Sequence, residues 1–194
     1  TGWTPTFLMG HRIQGKRLGI IGMGRIGRAV ARRAKAFNMS IHYHKRTRLP
    51  EQVEDEMEAT YWEDLDQMLA RMDFVSVNCP LTDETYKLLD RNRLKKLQPH
   101  AVIINTARGG IVDEEALLSA LDDGTITSAA LDVFEVEPVP EGYPLILHEN
   151  FHGTPHIGAA TMEAQHRVGI DIAKAVIAAL KGDKPSTIVN SKFL

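Results

Sequence analysis

The segment Gly22-Met23-Gly24-Arg25-Ile26-Gly27 constrains the fold of this chain more than any other feature of its 194 residues. It matches the pattern G-x-G-x-x-G and lies directly after a short apolar run, at the start of a segment with helical spacing. In a strand-turn-helix unit such glycines allow a tight turn, let the backbone approach a pyrophosphate, and let the helix pack closely on the strand. The motif therefore predicts a dinucleotide-binding turn.

Short apolar runs alternate with helical segments along most of the chain. The predicted strands are residues 18–21, 40–44, 74–78, 101–105, 128–133 and 151–154, and the predicted later helices are residues 65–71, 90–97 and 114–122. In the first helix one face carries the apolar residues Ile26, Val30, Ala34 and Phe37. Buried strands that alternate with helices predict an α/β fold with a doubly wound parallel sheet of the Rossmann type.

The same patterns divide the chain into three parts. Residues 1–15 form a lead-in arm, residues 16–161 a single nucleotide-binding domain, and residues 162–194 a long amphipathic helix followed by a tail. The helix is indicated by apolar residues three or four positions apart between 168 and 179. Because the first residue is Thr1 and not methionine, we expect the chain to be processed or cut from a longer one.

Composition excludes several classes of protein. A formal charge of −2 gives no basic field for nucleic acid, and 43% apolar with 25% charged residues is typical of a globular domain. No apolar run approaches the roughly 20 residues that span a bilayer. The single cysteine, Cys79, cannot form an internal disulfide, which is compatible with a reducing compartment. We therefore expect a soluble, cytoplasmic protein with no nucleic-acid or membrane partner.

The end of the second predicted strand indicates which dinucleotide binds. An acidic residue about 20 positions after the glycines would accept the ribose 2′-hydroxyl of NAD. Here that place reads His44-Lys45-Arg46-Thr47-Arg48, and the first carboxylate is Glu51. Because a guanidinium can hold a 2′-phosphate, Lys45, Arg46 and Thr47 favour NADP over NAD, with a solvated basic loop as the alternative.

Four ordered motifs together carry a family resemblance. Besides the glycine-rich turn they are NTARGGIVDE at 105–114, DVFEVEP at 132–138 and TPHIG at 154–158. The chain resembles the D-isomer-specific 2-hydroxyacid dehydrogenases, in particular the glyoxylate and hydroxypyruvate reductases, over nearly its whole length. This resemblance implies that the family's substrate domain is largely missing here. It also implies a homodimer, for which residues 3–9 of the arm are a candidate contact.

Reduction of a 2-keto acid needs a cation for the carboxylate, an acid for the carbonyl oxygen, and a partner that keeps the acid protonated. Arg108 follows a strand at the sheet edge where α/β proteins bind ligands, His156 can donate the proton, and Glu137 would favour its imidazolium form. The resemblance implies the same roles and places Asp132 at the nicotinamide carboxamide. The remaining predicted cofactor contacts are Pro80, Thr106, Ala107 and Gly158.

These residues predict an oxidoreductase that reduces glyoxylate or hydroxypyruvate with NADPH, weakly or not at all in the absence of the second domain. Three alternatives remain. Formate dehydrogenases resemble this fold but have glutamine where Glu137 stands, phosphite oxidation fits the same motifs, and related corepressors sense the dinucleotide and bind proteins. A metal site is not expected, because Gly153 and Pro155 interrupt the spacing of His148, His152 and His156.

Overall fold

The chain folds around one seven-stranded sheet in a computed structural model that describes residues 10–185 and residue 188. The strands are β1 (Arg17–Ile21), β2 (Ser40–His44), β3 (Ala59–Trp62), β4 (Phe74–Val77), β5 (Val102–Asn105), β6 (Ser128–Leu131) and β7 (Phe151–Gly153). The helices are α1 (Arg25–Ala36), α2 (Glu51–Met57), α3 (Leu65–Leu69), α4 (Arg91–Leu94), α5 (Glu114–Asp122), α6 (Pro144–Leu147) and α7 (Met162–Leu180). The strands are all parallel, in the order β3-β2-β1-β4-β5-β6-β7, which confirms the doubly wound Rossmann fold.

Two hydrophobic clusters form the core, and strand β1 contributes to both. Ile20 belongs to the smaller cluster, which includes Ala31 of α1 and Tyr43 of β2. Ile21 belongs to the larger cluster, which includes residues of α3, α5 and strands β4 to β6. Because successive side chains of a strand point to opposite faces, the two clusters cover the two sides of the sheet.

Strand β3 and helices α2 and α6 are absent from the sequence prediction. None of the residues of β3, an edge strand of four residues, is buried, so they lack the apolar run that marked the inner strands. Helix α2 is mostly acidic and polar, and its buried residues are Glu54 and Met57. The Glu54 carboxylate accepts hydrogen bonds from the Arg48 guanidinium and the Tyr43 hydroxyl, contacts that the pattern of apolar residues does not reveal.

The predicted apolar face of α1 is partly wrong. Ile26 and Phe37 are 63% and 59% exposed, whereas the buried residues of the helix are Gly27, Ala31 and Ala34. A Cβ atom on Gly27 would lie 2.3 Å from the carbonyl oxygen of Gly22. The helix therefore packs on the sheet through a row of small residues, and this close approach rotates the larger side chains outward.

The described chain separates into two compact units, 1–155 and 156–194. The second unit contains α7, which begins where predicted, with the Thr161 hydroxyl accepting a hydrogen bond from the Ala164 amide. The arm at residues 1–9, including the candidate dimer contact, and all of the tail at 186–194 except residue 188 lie outside the described residues. Within the described ranges, no helix is both long and apolar enough to cross a bilayer.

A buried carboxylate ties the sheet together at the amino-terminal ends of β1 and β4. Asp73 accepts hydrogen bonds from the Arg17 amide at 2.7 Å and from the Arg17 guanidinium at 3.1 Å, and its other contact is His100 Nε2 at 2.6 Å. Burial alone would raise the pKa of the Asp73 carboxyl, but these contacts outweigh burial and hold that pKa well below its usual range. Asp73 therefore contributes stability only while it is ionised.

We expect Asp73→Asn to lower the free energy of unfolding at pH 7 by about 2–3 kcal/mol, below the usual cost of breaking a buried pair because the Arg17 side chain is 43% exposed. Since the folded-state pKa is depressed, this stabilisation is present above about pH 4 and is lost as the pH falls below that value. Urea unfolding at pH 7 and pH 3 measures both. If the free energies of unfolding of Asp73→Asn and of the unsubstituted protein differed by the same amount at both pH values, the stabilising role of ionised Asp73 would be contradicted.

Candidate active site

The sheet has its topological switch point between β1 and β4. From β1 the chain continues to β2 and β3 on one side of the sheet, and from β4 it continues to β5, β6 and β7 on the other side. Open α/β sheets bind ligands in the crevice at the carboxyl ends of such strands. Here the Gly22 amide donates to the His44 carbonyl at 3.0 Å and the Asn78 amide to the Ile21 carbonyl at 2.7 Å, which joins three strand ends. A cleft of about 510 Å³ opens there, and seven of the predicted cofactor residues line it: Gly22, Met23, Gly24, Lys45, Arg46, Thr47 and Pro80.

The three glycines of the turn occupy different environments. Gly22 has a φ of +95°, and a Cβ atom on it would lie 2.6 Å from the backbone nitrogen of Cys79. Gly27 abuts the carbonyl oxygen of Gly22, as described above. A Cβ on Gly24 would meet nothing within 4 Å. Two glycines are therefore required by packing of the protein itself, and Gly24 leaves space for another molecule.

The cleft suits a dinucleotide on three observations. Gly24 is the N-cap of α1, and no side chain caps this helix, so its positive end favours an anion such as a pyrophosphate. Asn78 lines the cleft, and among the described residues its buried Oδ1 has no hydrogen-bond partner, which leaves an acceptor for a ligand. The open space at Gly24 is the third. A nicotinamide dinucleotide therefore fits these residues.

The basic loop after β2 has one arginine committed to the fold and one at the cleft. The Arg48 guanidinium donates to Glu54 Oε2 at 2.7 Å and lies over the Tyr61 ring. The hydrogen bond from Thr82 and, more weakly, the charge of Arg46 hold the pKa of Glu84 below its usual range. Both Arg46 and Glu84 line the cleft. Arg46 is thus the arginine positioned to meet a ligand, a distinction that the sequence did not make.

Arg108 lies on the turn after β5, the strand beside β4. Buried Asn105 shapes this turn: its Oδ1 accepts from the Ala107 amide at 3.0 Å, and its Nδ2 donates to the Arg108 carbonyl at 2.9 Å. The Arg108 side chain is exposed and donates to the Ala107 carbonyl at 2.5 Å. A Cβ atom on Gly109 would lie 1.9 Å from the carbonyl oxygen of Phe134. The Arg108 turn is therefore pressed against the loop that follows β6.

That neighbouring loop carries two more predicted residues. Glu137 Oε1 accepts from the Phe134 amide at 2.9 Å, and Asp132 Oδ1 accepts from the Thr154 hydroxyl at 2.5 Å. The structure thus brings Arg108, Glu137 and Asp132 onto adjacent loops at one edge of the sheet. Thr106 and Ala107 belong to the Arg108 turn and do not line the cleft. Arg25, Ile26 and Gly27 do not line it either.

The other two predicted residues, His156 and Gly158, belong to the second compact unit. His156 is its first residue and adopts the left-handed region with a φ of +53°. Three residues around these loops were not predicted: Glu114 and Tyr143 hold the loop after β6, and the Tyr86 hydroxyl donates to Glu135. Their contacts span 21 to 49 positions, so no local pattern in the sequence signals them. Across residues 10–185, no cluster of three His, Cys, Asp or Glu side chains could hold a metal ion.

Comparison with known proteins gives consistent matches. A family model described as "D-isomer specific 2-hydroxyacid dehydrogenase, NAD binding domain" matches residues 1–158. A glyoxylate reductase from Thermofilum pendens is 46% identical over 194 residues, covering 99% of this chain and 56% of the relative. One from Thermococcus litoralis is 46% identical over 193 residues, covering 57% of the relative. The chain thus spans a little over half the length of the curated relatives it matches.

Solved structures agree. A protein from Thermus thermophilus superposes with a TM-score of 0.90 at 42% identity, covering 97% of this chain and 58% of the other. A glyoxylate reductase from Paecilomyes thermophila gives a TM-score of 0.85 at 40% identity, covering 94% and 55%. A formate dehydrogenase from Granulicella gives 0.92 at 28% identity, covering 96% and 50%.

Proposed function

This chain belongs to the D-isomer specific 2-hydroxyacid dehydrogenase family, and on that premise we propose that the protein reduces a small 2-keto acid of the glyoxylate or hydroxypyruvate type to the 2-hydroxy acid. One observation carries the proposal. The exposed guanidinium of Arg108 comes directly after β5, and β5 is the neighbour of β4 in the sheet. The ends of β4, β1 and β2 form the cleft that fits a dinucleotide. An exposed guanidinium, a group suited to a carboxylate, therefore lies beside the cleft that fits a nicotinamide dinucleotide, which supports the proposal.

Each proposed catalytic residue has a separate task. Arg108 binds the substrate carboxylate through its planar, bidentate donors. His156 donates the proton to the carbonyl oxygen, and Glu137 is assigned to the same step. The bound dinucleotide supplies the hydride. Asp132 orients the nicotinamide carboxamide, and the Thr106-Ala107 turn, Pro80 and Gly158 line the cofactor.

We propose NADP as the cofactor, with NAD as the second choice. Two observations support this choice. Lys45, Arg46 and Thr47 all line the cleft, and residues 45–50 after β2 contain no carboxylate. Since Arg48 is held by Glu54 and Tyr61, the 2′-phosphate contact falls to Arg46, with Lys45 and Thr47 beside it.

We expect Arg46→Ala to weaken NADPH binding by about 10- to 100-fold, the loss of a charge-assisted hydrogen bond, and to leave NADH binding unchanged. Calorimetric titration of this chain with each dinucleotide measures both affinities. Arg33→Ala is the matched control, because Arg33 is an exposed arginine of α1 whose one side-chain hydrogen bond among the described residues is to the Ala29 carbonyl of its own helix. Equal affinities of the unsubstituted chain for NADPH and NADH would overturn the NADP assignment.

Two further parts of the proposal rest on the family resemblance and composition. We infer a homodimer formed through the dinucleotide domain, which sedimentation of the full-length protein tests. We also infer a cytoplasmic location, with which the single cysteine is compatible. Fractionation of cells that express the protein tests this location.

The reaction is tested by mixing the full-length protein with NADPH and either glyoxylate or hydroxypyruvate and following the loss of NADPH absorbance. Oxidation of formate or phosphite is assayed in parallel with NADP⁺ and NAD⁺. Turnover of a keto acid supports the proposal. Turnover of formate or phosphite alone would replace it with one of those dehydrogenases, and dinucleotide binding without any turnover would favour a sensing module.

A further inference from the structure

We propose that Glu114 is a positioning residue for the reaction, because its buried carboxylate fixes the peptide segment against which both the Arg108 turn and Glu137 are set. This inference rests on the proposed function and adds a residue to which the chemistry described above gives no role. The segment in question is the Phe134-Glu135 pair in the loop after β6.

Glu114 is 5% exposed and is the first residue of α5. Its Oε1 accepts from the Glu135 amide at 2.6 Å, and its Oε2 accepts from the Tyr143 hydroxyl at 2.6 Å. Burying a carboxylate is costly unless its oxygens are hydrogen-bonded, and the helix N-terminus stabilises its charge further. Burial and this hydrogen bond raise the pKa of Tyr143, so its hydroxyl remains a donor. Glu114 is thus fixed on both oxygens.

The segment that Glu114 holds contacts Glu137 and packs against the turn that carries Arg108. The Phe134 amide donates to Glu137 Oε1, and the Phe134 carbonyl lies where a Cβ atom on Gly109 would be, next to Arg108. A shift of the Phe134-Glu135 peptide would therefore move Glu137 and the backbone of Arg108 at the same time. Catalytic groups need placement to within a fraction of an ångström.

A second contact holds the same segment from the solvent side. The Tyr86 hydroxyl donates to Glu135 Oε1 at 2.7 Å, and the Tyr86 ring lies 3.3 Å from the position of a Cβ on Gly110. Tyr86 is 50% exposed, so water competes for this hydrogen bond. Glu114, which is shielded from water, is therefore the stronger of the two anchors.

The test compares Glu114→Ala with Glu114→Gln, whose amide can accept from the Glu135 amide and donate to the Tyr143 oxygen. Glu115→Ala is the control, because Glu115 is the adjacent, exposed glutamate of the same helix turn. In the full-length protein we expect Glu114→Ala to lower kcat/KM for the keto acid by about 10- to 100-fold per folded molecule. We expect Glu114→Gln to restore most of that loss, and NADPH affinity to stay within a few-fold of its original value in all three variants.

A second readout needs no catalysis. Amide hydrogen exchange of Glu135, measured by NMR, is expected to accelerate in Glu114→Ala and to remain slow in Glu114→Gln and Glu115→Ala. If Glu114→Ala does not fold, Tyr143→Phe replaces it, since it removes one of the two hydrogen bonds and is expected to give a smaller change of the same kind. The inference would be overturned if Glu114→Ala, or Tyr143→Phe in its place, had the same Glu135 amide exchange and the same kcat/KM as the unsubstituted protein. An unsubstituted protein without keto-acid turnover would instead refute the proposed function.

Discussion

Replacing His156 by asparagine is expected to lower kcat for keto-acid reduction by about 10²- to 10⁴-fold, the usual contribution of a general acid. Asparagine is the substitution of choice because His156 has a φ of +53°, and asparagine tolerates the left-handed region better than most residues. The backbone should therefore stay in place while the proton donor is lost. NADPH affinity is expected to remain within a few-fold of its original value, since His156 is assigned to the substrate and not to the dinucleotide.

The measurement is steady-state kinetics of the full-length protein with saturating NADPH. His166→Asn is the control, because His166 is an exposed histidine of α7 in the same compact unit. A kcat in His156→Asn close to that of the control would remove His156 from the mechanism and leave the source of the proton to be found among other groups.

Two alanine substitutions in the glycine-rich turn are expected to separate folding from cofactor binding. In Gly22→Ala the new Cβ would meet the backbone of residues 78 and 79 at 2.6–2.8 Å, and the φ of +95° would be strained. Backbone cannot turn aside as a side chain can, so we expect stability to fall by about 3–5 kcal/mol and NADPH binding to be lost. In Gly24→Ala the new Cβ has no heavy atom within 4 Å, so stability should fall by only about 1 kcal/mol, because alanine is a poorer N-cap than glycine. NADPH affinity should fall at least tenfold, about 1.4 kcal/mol.

Urea unfolding and calorimetric titration of this chain measure the two effects side by side. Gly169→Ala serves as the control, because Gly169 is a helical glycine of α7 with nothing within 4 Å of its Cβ position. It should gain about 1 kcal/mol of stability from helix propensity without any change in NADPH affinity. Normal NADPH binding by Gly24→Ala would show that the dinucleotide does not approach the turn.

Features set by a few neighbouring residues could be predicted from the sequence. The turn at 22–27, the inner strands and the start of α5 at Glu114 each have a local signature of glycines, apolar runs or a capping aspartate. Strand β3 lacked such a signature because an edge strand buries little of its surface. The outward rotation of Ile26 also escaped prediction, since it depends on how closely Gly27 lets the helix approach the sheet.

The predicted site residues divide in the same way. Arg108 could be located because it follows a recognisable strand. Which arginine of the basic loop faces the cleft could not be predicted, because the answer depends on the buried Glu54, which pairs with Arg48 and also accepts from the Tyr43 hydroxyl. Glu114 had no visible role for the same reason: its hydrogen-bond partner Glu135 lies 21 residues away.

Asp73, with its partners Arg17 and His100, lies at one end of strands β1 and β4, and the glycine-rich turn lies at their other end. Substitutions at Asp73 are therefore expected to change the resistance of the domain to heat and acid while leaving the residues that line the cleft in place. This end of the sheet offers selection a place to change stability that is remote from the place where a ligand would bind.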